Sequence, residues 1–290
     1  MPLSLPYLTD QALSKFIASA LAEDLGEGDH TTLAIVPDRS VARVKLLVKD
    51  TGILAGVELV RRIYEQVDPS VKLGVRMHDG EPVHPGDIVF IAEGGSRTLL
   101  STERLILNCM QRMSGIATHT RRLCELLEGT HAKLMDTRKT TPNFRLAEKW
   151  AVSIGGGINH RFGLYDKIMI KDNHIDVAGG IGPAVRKVKE YLQNTGRKLE
   201  VEVETRSLQE VDEALAAGGV DIIMLDNMSV ELMRAAVGRI GGVCRTEASG
   251  GINESNLREV ALTGVDYVSI GALTHTIRSL DLSLKVVRGQ

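Results

Sequence analysis

From residue 132 onward the chain alternates short apolar runs with polar or glycine-rich breaks. The runs read AKLMD, KIMI, LEVEV, DIIML, RTEA and YVSI. In turn they end at Thr137-Arg138-Lys139-Thr140, Lys171-Asp172-Asn173-His174, Glu204, Asp226-Asn227, Ser249-Gly250-Gly251 and Gly271. Runs this short and this rich in Ile, Val, Leu and Met, each followed by a helical stretch, predict buried parallel strands of βα units. Helix signals support the phase of the alternation. Ser207 and Glu210 form an S-x-x-E capping box for a helix over 207–217, Ser229 opens 229–237, and Asn253 opens 253–263, which stops at Gly264. Parallel strands all point one way, so the six breaks gather on one rim, where sites of such folds are built.

The first hundred residues follow another pattern. Leu13, Phe16, Ile17, Ala20 and Leu21 share one face of a helix over 10–25, and Asp29-His30-Thr31-Thr32 interrupts it. Segments 41–49, 71–77 and 87–92 predict strands. Segment 80–93 has the turn-and-strand grammar of lipoyl or biotinyl carrier domains but no lysine at a hairpin tip, so it predicts a small β-rich layer. Residues 97–128 are helical, with Gly115 and Gly129 as the expected breaks.

Composition narrows the class. At 290 residues the chain can bury a substantial core, and 35 Lys plus Arg against 37 Asp plus Glu leave no global field for nucleic acid or a membrane. Positive charge for an anionic substrate must therefore be local. Cys109, Cys124 and Cys244 have no metal-ligand rhythm and predict reduced thiols. With no leader-like N-terminus and no long apolar window, the expected location is the cytoplasm.

Five potential cations arrive on the rim within two βα units: Arg138, Lys139, His160, Arg161 and Lys171. Arginine suits bidentate grip of a carboxylate or phosphate, and lysine acts as a compact charge. Glu204 and Asp226 end consecutive strands, and such a pair can hold a magnesium ion or accept bonds from a sugar diol. Glu202 lies two residues earlier on the same strand face, so either glutamate could point at the site; the strand end favours Glu204. Ser249-Gly250-Gly251 and Gly271 offer backbone N–H groups for a phosphate at the last two strands. Gly155-Gly156-Gly157 lacks the Gly-Lys-Ser/Thr of a P-loop, and His174 and His275 lack ligand spacing.

The segments Met135 to Pro142 (MDTRKTTP), Gly155 to Arg161 (GGGINHR), Ile170 to His174 (IKDNH), Val201 to Glu204 (VEVE), Leu225 to Asn227 (LDN), Glu247 to Gly251 (EASGG) and Ser269 to Thr274 (SIGALT) resemble the quinolinate phosphoribosyltransferases. The similarity runs from about Leu21 to Ser283. It implies an open, incomplete α/β barrel over 116–275 and an N-terminal α/β sandwich domain over 1–115, with 276–290 packing back on the latter. It also implies a homodimer in which Arg104 of one subunit completes the partner's site. Under this resemblance Arg138, Arg161, His160 and the partner's Arg104 would hold the two carboxylates of quinolinate. Lys139 and Lys171 would be shared with the pyrophosphate, and Glu204 and Asp226 would take ribose and Mg. Ser249, Gly250, Gly251, Gly271 and His275 would take the 5-phosphate, and Lys139, Lys171, Glu204 and Asp226 would carry the chemistry. Two other functions fit the same fold: a phosphoribosyltransferase with a different acceptor, of the type found beside molybdate transport genes, and a non-catalytic phosphosugar or dicarboxylate sensor. Three arginines and a histidine exceed what a monocarboxylate acceptor needs, and a pure binder has no call for the carboxylate pair.

Overall fold

All six apolar runs after residue 132 form strands, and all six run parallel in one sheet of a computed structural model that describes residues 5–287. Across the sheet the order is Lys133–Met135, Tyr267–Ser269, Arg245–Ser249, Ile222–Asp226, Val201–Thr205 and Ile168–Ile170. From Ile168 onward each strand pairs with its successor in sequence, and the last returns to pair with the first. The ring stays open between Lys133–Met135 and Ile168–Ile170, where Met135 instead makes a parallel bridge to Ile158. Side chains of alternate strands meet inside, as the layers of a barrel do: carboxylate oxygens of Glu202 and Glu247 approach within 4.8 Å across the intervening strand. The fold is an open α/β barrel with six strands, accompanied by a separate antiparallel sheet.

Local sequence explains most of the connecting helices. Ser207 Oγ accepts the Glu210 N–H at 3.2 Å and Ser229 Oγ accepts the Leu232 N–H at 3.3 Å, starting Leu208–Ala217 and Val230–Ile240. Glu210 reaches back to the Arg206 N–H at 2.6 Å, one residue before the one a capping box would use. Asn253 departs further from expectation. Its side chain accepts from Ser255 N and Oγ, closing a local Asx turn, so the helix begins only at Leu257 and ends at Ala261.

The chain divides into two units, one comprising Arg122–Lys139 and Gly157–Ala272 with the parallel sheet, the other Met1–Arg121, Thr140–Gly156 and Leu273–Gln290. In the second group an antiparallel sheet has the order Leu282–Val286, Val41–Val48, Ile88–Gly95, Lys72–Val75, so a segment near the end of the chain pairs with the first strand. Residues 288–290, within the segment expected to pack back, lie outside the described residues, as do 1–4. Helix Asp10–Leu25 starts at Thr9, whose Oγ1 accepts the Ala12 N–H, and buries Leu13 and Ile17. Cys109 is buried as a small hydrophobe, and burial pushes its thiol up to about 12. No helix among the described residues is long and apolar enough to cross a membrane.

Gly115 does not break the helix. Glu103–Leu126 runs through it, and a Cβ at Gly115 would sit 2.3 Å from the carbonyl oxygen of Arg278. The glycine is there for close approach of another backbone, which sequence cannot distinguish from a stop. Gly115→Ala is therefore expected to lower stability by about 1–3 kcal/mol through overpacking, read as a shift in the urea midpoint. An unchanged midpoint would refute the close-approach account.

Candidate active site

The parallel sheet delivers the expected residues to its carboxyl ends. Arg138 and Lys139 follow Lys133–Met135, Lys171 follows Ile168–Ile170, and Glu204 lies in Val201–Thr205 one residue before its end. Asp226 and Ser249 close the next two strands, and Gly271 follows Tyr267–Ser269. His160 and Arg161 enter from the side, immediately after Ile158 bridges to Met135. Arg104, exposed on helix Glu103–Leu126, and His275, whose Nδ1 lies 2.7 Å from Thr276 Oγ1, belong to the other unit.

Asp136 anchors the basic loops. Buried at the end of its strand, it accepts the His160 N–H at 2.8 Å with one oxygen and the Asn159 side-chain amide at 2.7 Å with the other. One carboxylate thus ties the loop carrying His160 and Arg161 to the strand end two residues before Arg138. Arg161 is buried, and its pKa falls below the usual arginine value, first through burial and then through repulsion from Arg138; Glu202 and Asp166 oppose the fall. Two guanidiniums held near enough to repel are an electrostatic arrangement that a dianion relieves.

The carboxylate pair shows the converse. Glu204 is half-buried, and its pKa is raised by burial first and then by the charge of Asp226, with Lys171 opposing. Two half-exposed oxygen donors on adjacent strand ends, repelling each other beside a lysine, suit a hard divalent cation bridged to an anionic ligand. Glu202 occupies a different environment. It is fully buried, and although burial alone would raise its pKa, the hydrogen bond from His160 and the charge of Lys167 hold it below the usual carboxylate range. The two glutamates of VEVE share a strand face but not a depth, and only Glu204 reaches the rim.

The glycine turn has a steric reason. Asn227 adopts φ +53°, donates its side-chain amide to Asp226 Oδ2 at 2.6 Å and its backbone N–H to Ser249 O at 2.9 Å. A Cβ on Gly250, itself at φ +86°, would lie 2.3 Å from Asn227 Oδ1. Gly250 and Asn227 therefore fit together as a pair that orients Asp226 beside the Ser249 turn. His174 turns its ring back on its own helix, where Nδ1 accepts the Lys171 N–H at 3.0 Å.

Sequence reasoning did not single out Lys167 or Glu247. Glu247 is completely buried at mid-strand, and burial followed by repulsion from Glu202 drives its pKa well above the ordinary value. A glutamate at the centre of a short strand of a buried parallel sheet, as in RTEAS, is the signal that marks such a residue.

Residues 29–114 match the family description "Quinolinate phosphoribosyl transferase, N-terminal domain" and residues 116–285 the corresponding C-terminal domain. The chain is 45% identical over 289 residues to a chloroplastic "Nicotinate-nucleotide pyrophosphorylase [carboxylating]" of Arabidopsis thaliana, covering 94% of this chain and 82% of that one. It is 41% identical over 274 residues to the "Probable nicotinate-nucleotide pyrophosphorylase [carboxylating]" of Bacillus subtilis, covering 94% and 93%. The crystal structure of NadC from Streptococcus pyogenes superposes with a TM-score of 0.89 at 42% identity, covering 97% of this chain and 99% of that one.

Proposed function

Because the chain belongs to the quinolinate phosphoribosyltransferase family, the carboxylating nicotinate-nucleotide pyrophosphorylases of NAD biosynthesis, we propose a division of its rim between the two substrates of that reaction. The enzyme transfers a phosphoribosyl group to quinolinate with loss of carbon dioxide, giving nicotinate mononucleotide. The observation that carries the division is the proximity of Arg138 and buried Arg161, whose pKa is lowered by burial first and then by repulsion from Arg138.

In this reading Arg138 and Arg161 grip the carboxylates of quinolinate, joined by Arg104 of the partner subunit in a homodimer. Lys139 and Lys171 neutralise the pyrophosphate as it departs. Glu204 and Asp226 hold the ribose hydroxyls and Mg, while Ser249, Gly250, Gly251 and Gly271 take the 5-phosphate. Magnesium bound there would neutralise the diphosphate leaving group. The carboxylates of Glu204 and Asp226 also stabilise the cationic ribose that forms as the diphosphate leaves. The clamped pyridine nitrogen then lies in line to attack, so orientation replaces a bimolecular encounter. Once alkylated, the ring nitrogen is positive and stabilises the electron pair left on the ring carbon as the neighbouring carboxylate departs as carbon dioxide, and a proton from solvent then completes nicotinate mononucleotide. The test is release of labelled carbon dioxide from 2-carboxyl-labelled quinolinate, dependent on phosphoribosyl pyrophosphate and Mg; no release together with no mononucleotide would refute the reading.

Glu204→Gln separates function from folding. It removes the repulsion with Asp226, so stability should stay level or rise by up to about 1 kcal/mol, whereas kcat should fall roughly a hundredfold. Thermal unfolding and steady-state kinetics on the same preparation check both signs.

A further inference from the structure

Both ring nitrogens of His160 are committed inside the protein. Nδ1 accepts the backbone N–H of Arg161 at 2.7 Å, so it carries no proton, and the imidazole is the neutral tautomer with its hydrogen on Nε2. That Nε2–H meets the two oxygens of Glu202 at 3.0 and 3.3 Å, with Glu247 Oε2 at 3.5 Å. The side chain is 6% exposed. In this arrangement the single N–H of the ring is spent on Glu202 and not on a substrate carboxylate.

Glu202 binds a second group with the same consequence. Lys167 Nζ lies 3.3 Å from Glu202 Oε2, and the backbone oxygen of Lys167 accepts Arg161 Nη1 at 3.3 Å. Arg161 is therefore held at its backbone N–H by His160 and at its guanidinium by Lys167, and both holders are fixed by one buried carboxylate. Lys167 Nζ also lies 3.6 Å from Glu200 Oε2, so it bridges buried Glu202 and the more exposed Glu200. A lysine already supplies the countercharge that a metal ion would bring.

We propose that His160, Glu202 and Lys167 form a buried brace that sets the position of Arg161, making His160 a positioning residue and not a ligand of quinolinate. The proposal rests on the reading that Arg161 grips a quinolinate carboxylate. Glu247, on the alternate strand, fills the remaining side of the cluster, with Oε2 3.5 Å from His160 Nε2. A brace of this kind controls affinity for the dicarboxylate without touching it, because a misplacement of about 1 Å in a clamping group costs on the order of a hundredfold in rate.

The first experiment uses the wild-type enzyme, so it does not depend on a variant folding. Nitrogen-15 spectra of histidine-labelled protein, with the His160 signal assigned, should show the neutral Nε2–H tautomer both without and with saturating quinolinate. An imidazolium, or a proton moving to Nδ1 on saturation, would overturn the brace. The second is kinetic. His160→Ala and the charge-matched pair Glu202→Gln with Lys167→Met should each raise KM for quinolinate about tenfold or more, leaving KM for phosphoribosyl pyrophosphate within about twofold. Combining all three changes should be no worse than the more impaired parent, because they break one device; additive losses would indicate independent contacts and overturn it. Glu247→Gln, which keeps a polar group of the same shape, should retain most of the activity that Glu247→Leu loses. Arg161→Ala is the control on the underlying reading. If it raises KM for quinolinate and the brace variants do not, the brace alone fails; if Arg161→Ala itself leaves that KM unchanged, the assignment of Arg161 fails.

Discussion

Arg138→Ala is expected to lower kcat/KM for quinolinate by roughly a hundred- to a thousandfold, with the fold intact. Truncating one member of a desolvated, hydrogen-bonded charge pair costs about 2–5 kcal/mol, because the partner charge is left buried without its counterpart. Arg138 stands two residues beyond the buried anchor Asp136 and close enough to Arg161 to depress its pKa. Its absence in the free enzyme would relieve that repulsion, so no loss of stability is anticipated. With quinolinate bound the sign reverses, since one carboxylate loses a bidentate donor and only Arg161 and the partner's Arg104 are left to grip the dianion. Arg138→Lys should recover only part of the loss, a lysine being a point charge without the fork. Steady-state kinetics with circular dichroism of each variant decide the matter; an alanine variant retaining more than half of wild-type kcat/KM removes Arg138 from the clamp.

The strands of the barrel were legible because strands buried on both faces read as unbroken apolar runs, and Ile222–Leu225 is buried at every position. Their carboxyl ends were legible for the same reason, since a polar break must follow a run that stops being buried. Other features depend on partners distant in sequence. Helix Val57–Val67 begins after Gly56 without a local side-chain cap; Asp79 supplies it, accepting Val57 N–H at 2.8 Å from 22 residues away. No local signal marks such a start. Gly115 looked like a stop because its reason, the carbonyl of Arg278, is absent from its neighbourhood in sequence. The same limit applied to the site. Period-two alternation put Glu202 and Glu204 on one face, yet depth along a barrel strand decides that one braces the interior and the other meets solvent.

Arg104→Ala and Arg138→Ala subunits, each inactive as a homodimer, should regain activity when paired. The argument is one of symmetry: in a two-fold dimer with a shared site, each site takes its rim from one subunit and its Arg104 from the other. In the mixed dimer the site on the Arg104→Ala subunit has its own intact Arg138 and receives Arg104 from the Arg138→Ala partner. That site is complete, while the opposite one carries both lesions, so a purified heterodimer should show about half of wild-type kcat per dimer and an unaltered KM for quinolinate. Arg104 is exposed on its helix, as a residue available to another chain must be. If Arg104 instead served its own subunit, each site in the mixture would still lack one arginine. Heterodimers isolated through two different affinity tags separate the outcomes, and no recovery in them rejects donation across the dimer.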